Sequence, residues 1–145
     1  RNTQKGVDYV AEELNVNEVV LLKGEGFHLD TFFTPALNKD GYVVALIICE
    51  KFLHPQSKKN LFNYADNNNI PIFNIPENDA LGTKTQTGKF SVNALPLPGI
   101  LLRPDYFSNP IIDEQLSKLG IKTKITPTSQ FQLSGGSVHC VTNEL

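Results

Sequence analysis

Apolar residues recur along this chain at two alternating spacings, one helical and one strand-like. Val7, Val10, Ala11 and Leu14 share one helical face within Gly6 to Leu14, and Val19 to Leu22 reads as a short buried strand. Phe27 to Phe33 alternates with period two, and Tyr42 to Ile48 is a Val/Ile-rich run of strand composition. Pro55 opens a helical stretch through Asn60, Leu61, Tyr64 and Ala65, which the turn-forming cluster Asp66-Asn67-Asn68-Asn69 ends. Ile70 to Ile75 follows as a strand closed by Pro76, and the polar stretch Glu77 to Lys89, with two glycines, reads as a surface loop. The order then recurs. Phe90 to Leu97 and Gly99 to Leu102 are strand-like, and Asn109 caps a helix with Pro110 at its first position. Ile111, Ile112, Leu116 and Leu119 form its apolar face, Gly120 stops it, and Ile121 to Ile125 is the next strand, closed by Pro127.

These equivalences can be counted. Val19, Ile70 and Ile121 begin the strands that follow successive helices, at a constant offset of 51 residues, and Pro76 and Pro127 repeat at the same offset. A period near 50 residues marks one supersecondary unit copied along or around an axis. The unit reads strand, strand, helix, strand. Its copies run over approximately 1–26, 27–78 and 79–128, and 129–145 supplies a further strand. Aligned on this repeat, Asp30, Asn93 and Cys140 fall at the same place in successive copies. If the copies surround an axis, those positions converge on one centre. Period-two alternation would put His28 and Asp30 on one face of that strand.

Composition narrows the function classes. The chain has 145 residues, 13 Lys+Arg against 15 Asp+Glu, and a net charge of −2, which excludes the basic footprint of a nucleic-acid binder. Its longest apolar run, Tyr42 to Cys49, is far below the roughly 20 residues needed to span a bilayer. The 2 cysteines make neither a disulfide framework nor a four-cysteine zinc site, and a reducing, cytoplasmic setting is expected. The sequence contains no Met and begins with Arg1, so further residues are expected upstream.

Cys140 follows Ser134-Gly135-Gly136-Ser137, so its thiol is presented beside a bare main chain. A thiolate near neutral pH needs a neighbouring base or cation, which His28 can supply if the repeats converge. A structural cysteine behind a flexible turn is the competing reading. Asp30 suits a planar guanidinium taking paired hydrogen bonds. Asn93 reads better as a turn residue or satisfied core amide than as a ligand contact, Cys49 as core, and His54 as a solvated loop residue. The three histidines and two cysteines do not fall at metal-ligand spacings, and no phosphate-binding glycine motif occurs.

Phe27-His28-Leu29-Asp30-Thr31 and Gly135-Gly136-Ser137-Val138-His139-Cys140 resemble the signatures of the guanidino-group-modifying enzymes. That superfamily includes arginine deiminase, agmatine deiminase, dimethylarginine dimethylaminohydrolase and the amidinotransferases. The resemblance implies an α/β pentein fold, an α/β propeller of five ββαβ repeats with the active site on the axis, of which this chain holds about three. It implies Cys140 as nucleophile, His28 as catalytic histidine, and Asp30 as the carboxylate that holds the substrate guanidinium. Arg1 matches an arginine-containing segment that helps bind a substrate carboxylate. No metal or organic cofactor is implied.

The expected activity is hydrolysis of the guanidino group of arginine or a derivative, through a covalent thiouronium intermediate. An amidinotransferase on the same scaffold is the alternative. A different class is also open, a non-catalytic pentein like the ribosome anti-association factors, or an inactive fragment. The superfamily's acidic partner of the histidine and its second guanidinium-binding carboxylate come from earlier repeats and have no matching positions here. The expected partners are therefore a small guanidino substrate and the missing repeats, or a partner chain that completes the site. A homodimer is one form that partner could take, and neither nucleic acid nor membrane is expected.

Overall fold

A computed structural model of the chain describes residues 2–26 and 28–142. Helix α1 (Gln4–Glu13) starts at Thr3, whose hydroxyl accepts from the Gly6 amide at 3.1 Å. No residue of α1 is buried, and Tyr9, Val10 and the following Leu14 are exposed. The expected strand at Val19 to Leu22 does not form. A strand needs a neighbour to satisfy its backbone, and only the residues just beyond it find one. The amide of Glu25 donates to the Phe52 carbonyl at 2.8 Å, and that of His54 donates to the Lys23 carbonyl at 2.9 Å.

Two ββαβ units then follow. In the first, β1 (Phe33–Leu37) pairs antiparallel with β2 (Val43–Ile48), and α2 (Pro55–Asn67) crosses over to β3 (Ile72–Asn74), which lies parallel to β2. In the second, β4 (Leu95–Leu97) pairs antiparallel with β5 (Ile100–Arg103), and α3 (Pro110–Lys118) leads to β6 (Lys122–Ile125), parallel to β5. Each sheet therefore has its middle strand paired on both sides, in the orders β1-β2-β3 and β4-β5-β6. That central place explains why residues 45–49 are wholly buried, whereas β6 alternates exposed and half-buried residues.

The 51-residue repeat holds at the end of each helix and along the third strands. The Ile70 amide bonds the Ala65 carbonyl at 2.8 Å, and its counterpart Ile121 bonds Leu116 at 3.0 Å. Ile75 donates to Ile48 and Thr126 donates to Arg103, both at 2.8 Å. Elsewhere the second unit is shorter, because α3 has 9 residues against 13 in α2. Asn109 caps α3 as its sequence predicts, accepting from the Ile111 amide at 3.1 Å, and Gly120 takes the left-handed conformation (φ +81°) that ends it. The helices bury Leu61 and Ala65 of α2 and Ile112 and Leu116 of α3 in the core.

The polar stretch Glu77 to Lys89 is not simply a surface loop. Glu77–Asp79 forms a 3-10 turn, and Asp79 is wholly buried while residues 83–87 are exposed. Its carboxylate accepts from the amide and the hydroxyl of Ser108, each at 2.6 Å, and Lys89 Nζ lies 3.4 Å away. A buried carboxylate is tolerable because these donors replace its water. The clamp fixes the base of the loop against the start of α3. It also sets the entry to β4, since the Phe90 and Ser91 amides bond the carbonyls of Ala80 and Asp79.

Candidate active site at Asp30, Asn93 and Cys140

The segment around His28 and Asp30 is not the strand that its alternation suggests. Leu29–Thr31 is a 3-10 turn, with His28 before it and β1 beginning only at Phe33. Thr31 turns the chain, since its amide and hydroxyl both donate to the His28 carbonyl, at 3.1 and 2.5 Å. Phe90 to Leu97 is likewise a strand only from Leu95. Residues 90–94 form a wholly buried turn with Phe90 at φ +56°, and the Asn93 amide closes it onto the Phe90 carbonyl at 2.9 Å. Cys140 also lies in a 3-10 turn, His139–Val141, rather than in a strand. In all three places side-chain and tight-turn hydrogen bonds outcompete the sheet ladder.

Convergence nonetheless occurs. Asp30 and Asn93 each stand just before the first strand of a ββαβ unit, and Cys140 meets both. The Cys140 sulfur lies 3.1 Å from Asp30 Oδ2, to which its thiol donates. Asn93 Nδ2 donates to Asp30 Oδ2 at 2.6 Å and to Cys140 Sγ at 3.2 Å, while Asn93 Oδ1 accepts from the Cys140 amide at 3.4 Å. Asn93 is the buried, satisfied amide in a turn that the sequence suggests, and its partners make it the hub of the cluster as well. The available signal was its place in the repeat, equivalent to those of Asp30 and Cys140.

The two glycines act as expected. Gly135 adopts φ +82°, and a Cβ at Gly136 would stand 3.1 Å from Cys140 Cβ, so the main chain passes close beside the thiol. Ser137 anchors the turn from below, with its buried hydroxyl 2.6 Å from that of Thr128. His28 is exposed, two residues from Asp30, and His139 is half-buried beside Cys140. Arg1 and the Phe27 of the first motif lie outside the described residues.

The two cysteines differ in chemistry. Cys140 as a residue is exposed, but its sulfur is packed against Asp30 and Asn93. That partial burial, followed by the Asp30 hydrogen bond and charge, pushes the thiol's pKa up, while the Ser137 backbone and Asn93 oppose the rise. Cys49 is buried in the core, and burial, together with Glu77 and Glu50, pushes its pKa up to about 11. Iodoacetamide at pH 8 should accordingly modify Cys140 alone in the folded protein, and both thiols after unfolding in guanidinium chloride. Peptide mapping checks this. Modification of Cys49 in the folded state at a rate near that of Cys140 would contradict the assignment.

Two described cavities, of about 390 and 350 Å³, lie elsewhere, along α1 and beside Tyr106 and Lys124. In the Cys140 cluster Cys140 is exposed, Asp30 half-buried and Asn93 buried. Among the described residues no group of three His, Cys, Asp or Glu side chains could hold a metal ion, and no helix is long and apolar enough to cross a membrane.

No protein-family model matches the sequence, and a comparison with curated proteins finds no match either. Solved structures do match. The N-terminal domain of ArgZ, an arginine dihydrolase from the ornithine-ammonia cycle in cyanobacteria, superposes with a TM-score of 0.71 at 24% identity. The match covers 97% of this chain and 46% of that one. AgrE, solved with ornithine and NAD+, gives 0.75 at 22% identity over 100% of this chain and 20% of its own. The chain has the pentein fold. A more distant pentein match is SxtG, an amidinotransferase of the saxitoxin pathway from Microseira wollei, with a TM-score of 0.57 at 14% identity, covering 96% of this chain and 38% of that one. The chain thus spans less than half the length of each of these structures, and in this pentein the ββαβ units are the repeating elements of the propeller.

Proposed function

We propose that this protein is a cysteine-dependent hydrolase acting on the guanidino group of arginine or an arginine derivative. The observation that carries the reading is the contact between Cys140 Sγ and the Asp30 carboxylate at 3.1 Å. A thiol held against a carboxylate is a poor nucleophile in the free protein, because the carboxylate opposes its ionisation. A guanidinium changes that balance, since it engages Asp30 through paired N–H donors and brings positive charge to the sulfur. Its central carbon then lies beside the thiol. Substrate and nucleophile are activated by one encounter.

In this scheme the Cys140 thiol passes its proton to neutral His28 as the guanidinium binds, and the resulting thiolate adds to the guanidinium carbon, forming the C–S bond. The C–N bond to the leaving amine breaks as protonated His28 gives that nitrogen its proton. Water then attacks the thiouronium carbon and passes a proton to His28, and the C–S bond breaks to return the thiolate. Arg1 is assigned to the substrate's carboxylate. The reading is supported by what is seen in ArgZ, where a cysteine-to-serine variant is solved with substrate bound and another variant carries a covalently bound reaction intermediate. The dihydrolases also superpose more closely than the amidinotransferase does.

Cys140 is exposed, and a thiouronium formed on it calls for a cover that excludes water. We assign that cover to further ββαβ repeats, either upstream in the same polypeptide or from a partner chain, consistent with the 46% coverage of the ArgZ domain. The repeat boundaries near residues 26, 78 and 128 belong to the same proposal, as does a cytoplasmic setting.

The test compares two electrophiles of one shape. Chloroacetamidine carries the cationic amidine that Asp30 should bind, and chloroacetamide is its neutral counterpart. The amidine is expected to alkylate Cys140 at least about tenfold faster at pH 7, a preference that Asp30→Asn removes. Equal rates for the two reagents would sink guanidinium recognition. Product analysis with arginine then separates the outcomes, because hydrolysis releases ammonia or urea without an amine acceptor, whereas amidino transfer requires one.

A further inference from the structure

Asn93 is fully buried, and a buried amide must find partners for both of its polar atoms. Every side-chain hydrogen bond described for it runs to Asp30 or Cys140. Nδ2 donates to Asp30 Oδ2 at 2.6 Å, to Cys140 Sγ at 3.2 Å and to the Asp30 carbonyl at 3.3 Å, and Oδ1 accepts from the Cys140 amide at 3.4 Å. These neighbours fix which end of the amide faces which group. Rotated by half a turn, it would set its oxygen against a carboxylate and its N–H groups against a backbone donor. The turn that holds it is equally constrained. Ser91, Val92 and Ala94 around it are buried, Phe90 is held at φ +56°, and the Asp79 clamp bonds the backbone on the entering side.

We propose that Asn93 is a further catalytic residue, whose Nδ2 binds sulfur and carboxylate into one unit and stabilises the thiolate of Cys140, in the free protein as well as once a guanidinium occupies Asp30. The two Nδ2 hydrogens serve the sulfur and Asp30, whose carboxylate and carbonyl are both within reach, and need no rearrangement when the thiol proton leaves. Such a fixed dipole aimed at developing charge is an effective form of transition-state stabilisation, because its orientation is established by folding rather than during reaction. Asp30 and Asn93 thereby act with opposite sign on one sulfur. The carboxylate favours the thiol and the amide favours the thiolate, and a bound guanidinium offsets the first. This rests on the reading of Cys140 as the nucleophile.

The competing explanation is that Asn93 merely ties three chain segments together. The pH dependence of Cys140 alkylation by iodoacetamide separates the two. Of the titratable groups, Asp30 touches the sulfur, His139 adjoins Cys140 in the chain and His28 lies two residues from Asp30; Asn93→Ala keeps all three but removes the 2.6 Å bond from Nδ2 to Asp30. In a folded Asn93→Ala protein the midpoint should move up by about one pH unit, a roughly tenfold loss of thiolate at a fixed lower pH. An unchanged midpoint overturns the proposal even if arginine turnover falls. Should Asn93→Ala not fold, the wild-type protein decides. The side-chain amide resonances of Asn93 should titrate with the Cys140 midpoint, and resonances that stay flat through it overturn the proposal. If that midpoint behaves as expected but the amidine preference is absent, the guanidino-hydrolase reading fails while the role of Asn93 toward the thiolate stands.

Discussion

Replacement of Cys140 by serine is expected to abolish covalent adduct formation with chloroacetamidine and to lower guanidino turnover by about a thousandfold or more. The size of the effect follows from the chemistry. A serine hydroxyl in contact with Asp30 has no comparable route to an anion, since the same carboxylate that raises the thiol pKa also opposes ionisation of the alcohol. The second cysteine offers no rescue, because Cys49 is buried and its pKa is pushed up to about 11. Guanidinium binding should survive, as Asp30 and its hydrogen bond from Asn93 are untouched. The informative result is therefore a protein that binds arginine, measured by calorimetry, yet forms no adduct by intact mass. Substantial turnover by Cys140→Ser would remove the cysteine from the mechanism.

Asp30→Asn should have two opposite effects at once. The carboxylate raises the Cys140 pKa by accepting the thiol hydrogen bond and by its charge, so its neutralisation lowers that pKa. At every pH below the original midpoint the thiolate fraction then increases. Alkylation by neutral iodoacetamide near pH 7 should become several-fold faster, because thiolate nucleophilicity falls less steeply than its population rises. Guanidino turnover should nevertheless collapse, since the paired acceptor for the substrate is gone. A generally damaged site would lose both properties together. A slower reaction with iodoacetamide in the variant would show that Asp30 does not restrain the thiol.

These expectations differ in how far they were visible before folding. Local rules carry the helix at Pro110, where an Asn cap, a first-position Pro and a terminal Gly all act within a few residues. The 51-residue spacing reappears as matched backbone bonds at Ile70 and Ile121 because both positions meet the same local demand, closing a helix onto the next strand. Buried Cys49 and exposed Cys140 were likewise separable from their surroundings, one inside an apolar run and the other behind paired glycines.

Strands do not form at the site for a physical reason. Apolar alternation records which residues can face a core, but a ladder also needs an edge to pair with. Val19 to Leu22 has none among the described strands, and the residues at Asp30, Asn93 and Cys140 use their backbones in tight turns instead. The burial of Asp79 could not be read from a polar stretch, because its donors come from Ser108 and Lys89.

By itself the amino-acid sequence determined the ββαβ order, the ends of α2 and α3, and Cys140, His28 and Asp30 as candidates for guanidino chemistry. Only the tertiary structure decided that Cys140, Asp30 and Asn93 touch, across sequence separations of 110, 63 and 47 residues. Contacts that distant depend on how the sheets pack and how each turn is closed, and neither is encoded in the residues adjacent to the site. That is why the amide of Asn93, unremarked as a local pattern, emerges at the centre of the cluster.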